Sequence, residues 1–96
     1  MKNIEKLSLF AVVIIPEAPS WVNVNAVNTT VLEVTWSASN DTDYYQLTCN
    51  SLAVNVSANE TTYLIVGLEP GTNYTVSVAA CASLCSNYTS STNNTG

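Results

Sequence analysis

The sequence predicts an all-β domain, and three observations indicate this class. From Trp21 onward, apolar and polar residues alternate with a period of two rather than the period of 3.6 that a helix requires. β-branched residues recur between short clusters of Asn, Thr, Ser and Gly, which are typical of turns. The chain has 96 residues, of which 47% are hydrophobic, so it can bury one small core.

Two strands are predicted in the first part of this region. In the first, over residues 22–26, valine and alanine alternate with asparagine up to a turn at Asn28. The second covers residues 32–36 and places the large indole of Trp36 on the buried side of a sheet. A polar stretch from Ser37 to Asp43 then separates this strand from the next.

Three further strands follow in the middle of the chain. Residues 45–49 place Tyr45 on a buried face, together with the other residues of the same parity. Residues 52–56 form a short fourth strand, and residues 63–68 contain a fifth. Each strand is bounded by the small polar residues that favour turns.

The last part of the chain contains the clearest strand and the weakest one. Pro70 and Gly71 form a turn, because proline presets one backbone angle and glycine tolerates the opposite sign. Residues 74–80 then alternate regularly between apolar and polar side chains. Residues 88–95 are small and polar with little to bury, so this closing strand either pairs at a sheet edge or frays.

Asn-x-Ser/Thr triplets are more frequent than the composition explains. The chain has seven of them, where about three are expected by chance. This excess predicts an exposed surface that carries N-linked glycans, and hence passage through a secretory pathway. Every one of these asparagines is expected in a turn or at an outward strand position, in agreement with the strand register. The seven predicted acceptors are Asn28, Asn40, Asn55, Asn59, Asn73, Asn87 and Asn93.

The charge pattern excludes several classes of function. Between Leu7 and Gly96 there is no lysine, arginine or histidine. Binding of nucleic acid or heparin requires clustered cations, so neither partner is predicted. Without histidine, and with the carboxylates scattered, the chain lacks the usual groups for acid–base catalysis. We therefore predict neither an enzyme nor a cofactor.

Three cysteines leave at least one thiol unpaired within the chain. A zinc site would need four suitably spaced ligands, so no metal site is predicted. The preferred disulfide joins Cys81 and Cys85 and closes a short loop. Cys49 is expected to be a buried and unreactive side chain, because no cation or helix N-terminus is available to lower its pKa.

The first residues resemble a secretory signal peptide. Both lysines lie in residues 1–6, and residues 7–15 are an uninterrupted apolar run that is too short to cross a bilayer. An ordinary strand, or the end of a neighbouring module, is the alternative. In either case residues 1–18 are expected to lie outside the domain, which would occupy residues 19–96.

The residue pattern closely resembles that of the fibronectin type III module. The most specific part is the Leu-x-Pro-Gly-Thr-x-Tyr segment followed by alternating valines, which looks like that family's tyrosine corner. The matching positions are Pro19, Val22, Val24, Leu32, Val34, Trp36, Tyr45, Leu47, Leu68, Pro70, Gly71, Thr72, Tyr74, Val76, Val78 and Ala80.

The resemblance implies a seven-stranded, immunoglobulin-like Greek-key sandwich. In such a fold Leu68, Pro70 and Tyr74 would form the tyrosine corner, in which the phenol hydroxyl bonds back to the backbone and pins one sheet to the other. Trp36 would lie beneath the sheet that holds Tyr45. A true immunoglobulin domain would instead place its tryptophan on the third strand, against a disulfide between the sheets. The last strand lacks the family's usual apolar positions, and residues 81–87 contain no Arg-Gly-Asp motif.

The sequence and the resemblance together suggest a non-catalytic extracellular module of a multidomain adhesive or receptor protein. Its partners would be neighbouring domains and extracellular proteins, with membrane attachment only through parts outside this chain. Two alternatives stay open. The module could bind a specific protein ligand through the loops at 37–43 and 81–87, or it could be an accessory domain of a secreted or receptor enzyme.

Trp21, which points outward, is expected to contact an adjacent module or, alternatively, to form an exposed binding spot.

Overall fold

A computed structural model describes residues 13–96. These residues form seven strands and no helix, so the predicted all-β class is confirmed. The predicted signal peptide falls largely on residues 1–12, which lie outside the described residues. The strands are β1 (Val22–Asn28), β2 (Val31–Trp36), β3 (Tyr44–Cys49), β4 (Leu52–Ser57), β5 (Thr62–Ile65), β6 (Asn73–Cys81) and β7 (Thr89–Asn94).

The strands form two antiparallel sheets that pack face to face. One sheet has the order β1-β2-β5 and the other the order β4-β3-β6-β7. The chain changes sheet after β2, after β4 and again after β5, which gives the sandwich arrangement that the sequence led us to expect. The β1–β2 pairing contains a bulge between Ala26 and Asn28.

The core lies between the sheets and consists of the inward residues of the alternating pattern. Trp36 on β2 is 2% exposed and meets the ring of Tyr45 on β3 edge to face, with ring centroids 5.4 Å apart. This geometry is the one that aromatic quadrupoles favour. The other buried members of the cluster are Val22, Val24, Leu32, Val34, Leu47, Cys49, Val56, Ile65, Tyr74, Val76, Val78 and Ala80.

The closing strand pairs along its whole length, although it has no apolar side chain to bury. Six residues of β7 are in register with β6, from Asn94 opposite Asn73 to Thr89 opposite Val78. Hydrogen bonds replace the apolar contacts. They join β7 to strand β1 of the opposite sheet and to the segment that precedes β1. Thr89 Oγ1 donates to the carbonyl of Pro19 at 2.6 Å, and Asn93 Nδ2 donates to the carbonyl of Val24 at 2.6 Å.

Candidate functional site

Six of the seven predicted glycan acceptors lie on the exposed surface. Asn55 points outward from the edge strand β4, and Asn73 stands at the outward start of β6. The other four lie in or beside the connections between strands, where the backbone is accessible. The six exposed acceptors are Asn28, Asn40, Asn55, Asn59, Asn73 and Asn87.

Asn93 differs from the other six. It is opposite Tyr74 in the β6–β7 register, so its side chain shares the inward face of the sheet. Its Nδ2, the atom to which a glycan would be joined, donates to the Val24 carbonyl of the other sheet. The hydroxyl residue of the same triplet, Thr95, is only 2% exposed. The agreement between acceptor positions and strand register therefore does not extend to Asn93.

The end of the sandwich that carries the connection between β5 and β6 is called here the corner end. Tyr74 lies on β6 with its ring between the sheets, and its Oη accepts a hydrogen bond from the backbone N–H of Glu69 at 2.9 Å. Leu68 packs against the core, whereas Pro70 is exposed in the turn. This contact joins the turn to the core in the manner of a tyrosine corner.

Thr95 adds a second contact at the corner end that the sequence did not suggest. Its Oγ1 donates to the carbonyl of Glu69 at 2.7 Å and accepts from the backbone N–H of Thr72 at 3.1 Å. One hydroxyl thus satisfies both an acceptor and a donor of the same turn. A threonine in a polar C-terminal segment carries no sequence signal that would distinguish this role from that of a surface residue.

The opposite end is called here the loop end, and it contains residues 37–43 and 81–87. The two loops lie side by side, because the backbone N–H of Asp43 donates to the carbonyl of Cys81 at 2.8 Å. A cleft between them, of about 320 Å³, is lined partly by Asp41 and Ser83. The loops that the sequence singled out as a candidate binding surface are therefore adjacent in space.

A disulfide closes the second of these loops. Cys81 and Cys85 are bonded, and Ser86 Oγ accepts a hydrogen bond from the backbone N–H of Ala80 at 3.0 Å at the base of the loop. Cys81 lies at an outward position of β6 and is not a member of the core cluster, yet it is fully buried. Leu84, in contrast, is 54% exposed at the tip.

The segment before β1 lies against the loop end. The carbonyl of Ile14 accepts a hydrogen bond from the backbone N–H of Leu84 at 3.2 Å, and Pro16 and Pro19 are buried. Ile14 also lines the cleft between the two loops. Residues 14–18, which the sequence placed outside the domain, thus contribute contacts to it.

Tyr45 has a second role besides packing in the core. Its Oη accepts a hydrogen bond from the backbone N–H of Ser39 at 2.9 Å, which holds the loop at 37–43. Thr42 Oγ1 donates to the carbonyl of the same Ser39 at 3.0 Å. A phenol group therefore fastens a loop at each end of the sandwich, Tyr45 at one and Tyr74 at the other.

Cys49 and Trp21 have contrasting environments. Cys49 is buried and unpaired, and desolvation raises the pKa of its thiol above its usual range. Because the thiolate is the reactive form, this thiol is poorly suited to nucleophilic chemistry near neutral pH. Trp21 is 47% exposed and lies on the outer surface beside the start of β1.

Residues 13–96 contain neither a cluster of metal-ligating side chains nor a helix that could span a membrane. No group of three or more Cys, Asp or Glu side chains is arranged so that it could hold a metal ion. Within the same residues no helix is long and apolar enough to cross a membrane.

The fold is similar to that of several solved structures. A two-domain fibronectin type III segment of chicken tenascin has a TM-score of 0.75 and 19% identity, over 81% of this chain and 49% of that one. The FN1–FN3 domains of chicken CNTN1 give a TM-score of 0.70 and 20% identity, over 86% of this chain and 30% of theirs. The chain thus spans less than half of each of these two segments.

A single-domain structure matches over nearly its whole length. FN3tt has a TM-score of 0.65 and 26% identity, over 84% of this chain and 97% of that one. No curated protein sequence shows significant similarity to the chain. The family model described as fibronectin type III domain matches residues 17–93. This match covers most of the chain and agrees with the sheet order and the corner contact, so the chain belongs to the fibronectin type III family.

Proposed function

We propose that this chain is a non-catalytic extracellular module of a multidomain adhesive or receptor protein. It spaces and supports its neighbouring domains, and it contacts protein partners through surfaces that glycans leave free. The observation that carries this proposal is the exposure of six acceptor asparagines on a surface that has no basic side chain after Lys6. Glycans add solubility and steric protection to such a surface.

Two further features support an extracellular location. A disulfide between Cys81 and Cys85 is typical of proteins that fold in an oxidising compartment. The second feature comes from the charges of residues 13–96, which are all acidic. A protein partner that contacts this module through ion pairs must supply the basic residues itself, which favours partners with a cationic surface.

The first test is expression in a eukaryotic secretory host. We expect secreted material whose mass falls on treatment with peptide-N-glycosidase, because the six exposed triplets are available for modification. Single Asn→Gln variants at exposed positions should each remove at most one glycan. Secreted protein without any mass shift would contradict the proposal.

Asn93→Gln is the matched control for this experiment. It removes a triplet of the same kind, but at an inward position where Nδ2 is already bonded to Val24. We expect the number of glycans to be the same as in the wild type. A loss of one glycan in this variant would show that accessibility in the folded chain does not decide which triplets are used.

The ligand-binding alternative is favoured by one observation, the juxtaposition of the two loops at the loop end. A spacer module tolerates substitution of the exposed Leu84 without loss of activity of the full-length protein. A module that binds its ligand through this loop does not, because loops held by a rigid scaffold commonly carry the binding residues, and Leu84 is exposed at the tip of this loop. Leu84→Ser therefore distinguishes the two functions.

A further inference from the structure

One row of side chains crosses the outer face of the four-stranded sheet. Gln46 on β3 is in register with Asn55 on β4 and with Ala79 on β6. Since Thr89 pairs with Val78, the preceding residue Tyr88 comes next to Ala79. The acceptor Asn55 and the aromatic Tyr88 therefore stand at the two ends of a single row, separated by Gln46 and Ala79.

Tyr88 lies across this row rather than pointing away from the sheet. Its Oη donates to Gln46 Oε1 at 2.9 Å, so the side chain extends over β6 to reach β3. Ala79 has an outward position and is not in the core cluster, yet it is fully buried. The ring of Tyr88 accounts for this burial, because it must pass above Ala79 to reach Gln46. With 48% of Tyr88 exposed, the other side of the ring faces solvent.

A flat and solvent-facing aromatic ring is a suitable surface for a sugar. The axial C–H groups of a pyranose are weakly positive and are attracted to the negative face of an aromatic ring. Gln46 uses its Oε1 to accept from Tyr88, and its Nε2 has two N–H groups that can donate to sugar oxygens. The nearby outward side chains are uncharged hydroxyls, among them Ser77 and Ser90, whose oxygens are 2.6 Å apart.

We propose that the glycan joined to Asn55 folds back over Gln46 and stacks its first N-acetylglucosamine residues on the exposed face of Tyr88. This inference rests on the proposed function, in which Asn55 carries a glycan. Adjacent strands are about 4.8 Å apart, and Tyr88 Oη already reaches the strand next to Asn55. The attachment point of the sugar at Asn55 and the hydroxyl of Tyr88 therefore both lie beside Gln46.

The neighbouring acceptor Asn87 does not share this arrangement. It precedes Tyr88 directly in the chain and lies in the connection between β6 and β7. A glycan at Asn87 therefore starts from a loop position and not from the strand next to Gln46. Asn87 provides the matched control, because it lies closer in sequence to Tyr88 but does not lie in the row.

The test is a double-variant cycle on the secreted and glycosylated domain. Asn55→Gln removes the glycan, and Tyr88→Leu removes the aromatic face while still covering Ala79. The change at position 88 leaves the Asn87 triplet intact, because the middle residue of such a triplet can be any residue except proline. We expect Asn55→Gln to lower Tm by roughly 3 °C in the wild-type background and to have no effect in the Tyr88→Leu background.

Controls and a second readout separate stacking from a general effect of glycans. Asn87→Gln should change Tm equally in both backgrounds. In NMR spectra, protons of the Asn55-linked sugar should show upfield ring-current shifts that disappear in Tyr88→Leu. Tyr88→Phe should retain these shifts, because it keeps the ring and loses only the bond to Gln46.

Mass spectrometry of chymotryptic glycopeptides decides which inference fails if the cycle shows no coupling. An occupied Asn55 with equal Tm changes in both backgrounds would overturn the stacking and leave the proposed function intact. An unoccupied Asn55 with glycans at other positions would also overturn the stacking and leave the proposed function intact. If no asparagine is occupied, both the stacking and the proposed function are overturned.

Discussion

The two ends of the sandwich are held by different means. At the corner end, Tyr74 and Thr95 hold a turn through hydrogen bonds, and Tyr74 lies only five residues from its partner Glu69. At the loop end, a disulfide and the segment at 14–18 hold a loop through a covalent bond and through contacts with distant parts of the chain. At both ends, the contacts between residues close in sequence, Tyr74 with Glu69 and Cys81 with Cys85, could be predicted. The distant contacts made by Thr95 and by Ile14 could not.

The two ends also differ in how exposed their residues are and in how substitutions there affect the stability of the domain. The corner end closes around a buried ring and a buried hydroxyl, so substitutions there act on the stability of the whole domain. The loop end presents exposed residues such as Leu84 on a loop whose base is fixed. Such an arrangement allows the tip to vary while the core is unchanged.

The largest expected effect belongs to the core between the two ends. Trp36→Ala removes the indole that packs on Tyr45, and we expect a loss of about 3–5 kcal/mol in the free energy of unfolding. This loss is a large part of the stability of so small a domain, so both ends should unfold together. Urea denaturation followed by circular dichroism measures the change. An unfolding midpoint equal to that of the wild type would refute the assignment of Trp36 to the core.

The next effect tests the covalent contact at the loop end. The double variant Cys81→Ala with Cys85→Ala opens a short loop, and we expect a loss of about 2 kcal/mol from the greater freedom of the unfolded chain. Alanine is chosen rather than serine because Cys81 is fully buried, and the hydroxyl of a buried serine would need a hydrogen-bond partner. Reduction of the wild-type protein should lower its stability by a similar amount. A free thiol on Cys85 in the secreted protein would contradict the pairing.

The smallest effect compares the two phenol groups directly. Tyr74→Phe and Tyr45→Phe each leave one loop N–H without its acceptor, at Glu69 and at Ser39 respectively, and we expect a loss of about 1–2 kcal/mol for each. Tyr63→Phe is the control, since it changes a half-buried phenol that packs against the core. Equal losses in the free energy of unfolding would show that the two phenol groups stabilise their loops to the same extent. If Tyr45→Phe has no effect, only the corner end depends on its phenol.

Most of the fold could be predicted from the sequence, because it depends on alternation. Trp36, Tyr45 and Tyr74 each lie in a regular two-residue pattern, and the buried face of a strand requires that pattern. The turn at Pro70 and Gly71 has its own chemical signal, and Gly71 has a φ of 62°, which glycine adopts without strain.

The parts that could not be predicted depend on contacts outside the local pattern. Asn93 lies on an inward position because β7 pairs with β6, and its polar side chain gives no sign of that position. Cys81 is buried although its parity is outward. The contact between Tyr88 and Gln46 joins residues 42 positions apart, and no spacing rule reports such a pair.

The inward position of Asn93 sets a condition on the order of events during biosynthesis. A sugar on its Nδ2 would have to lie between the sheets, where that nitrogen donates to Val24. In the proposed function, modification of this residue and closure of the sandwich would therefore be competing outcomes for each newly made molecule. Rapid docking of β7 on β6 would protect Asn93 from the transferase, and slow docking would leave a chain that cannot complete its four-stranded sheet.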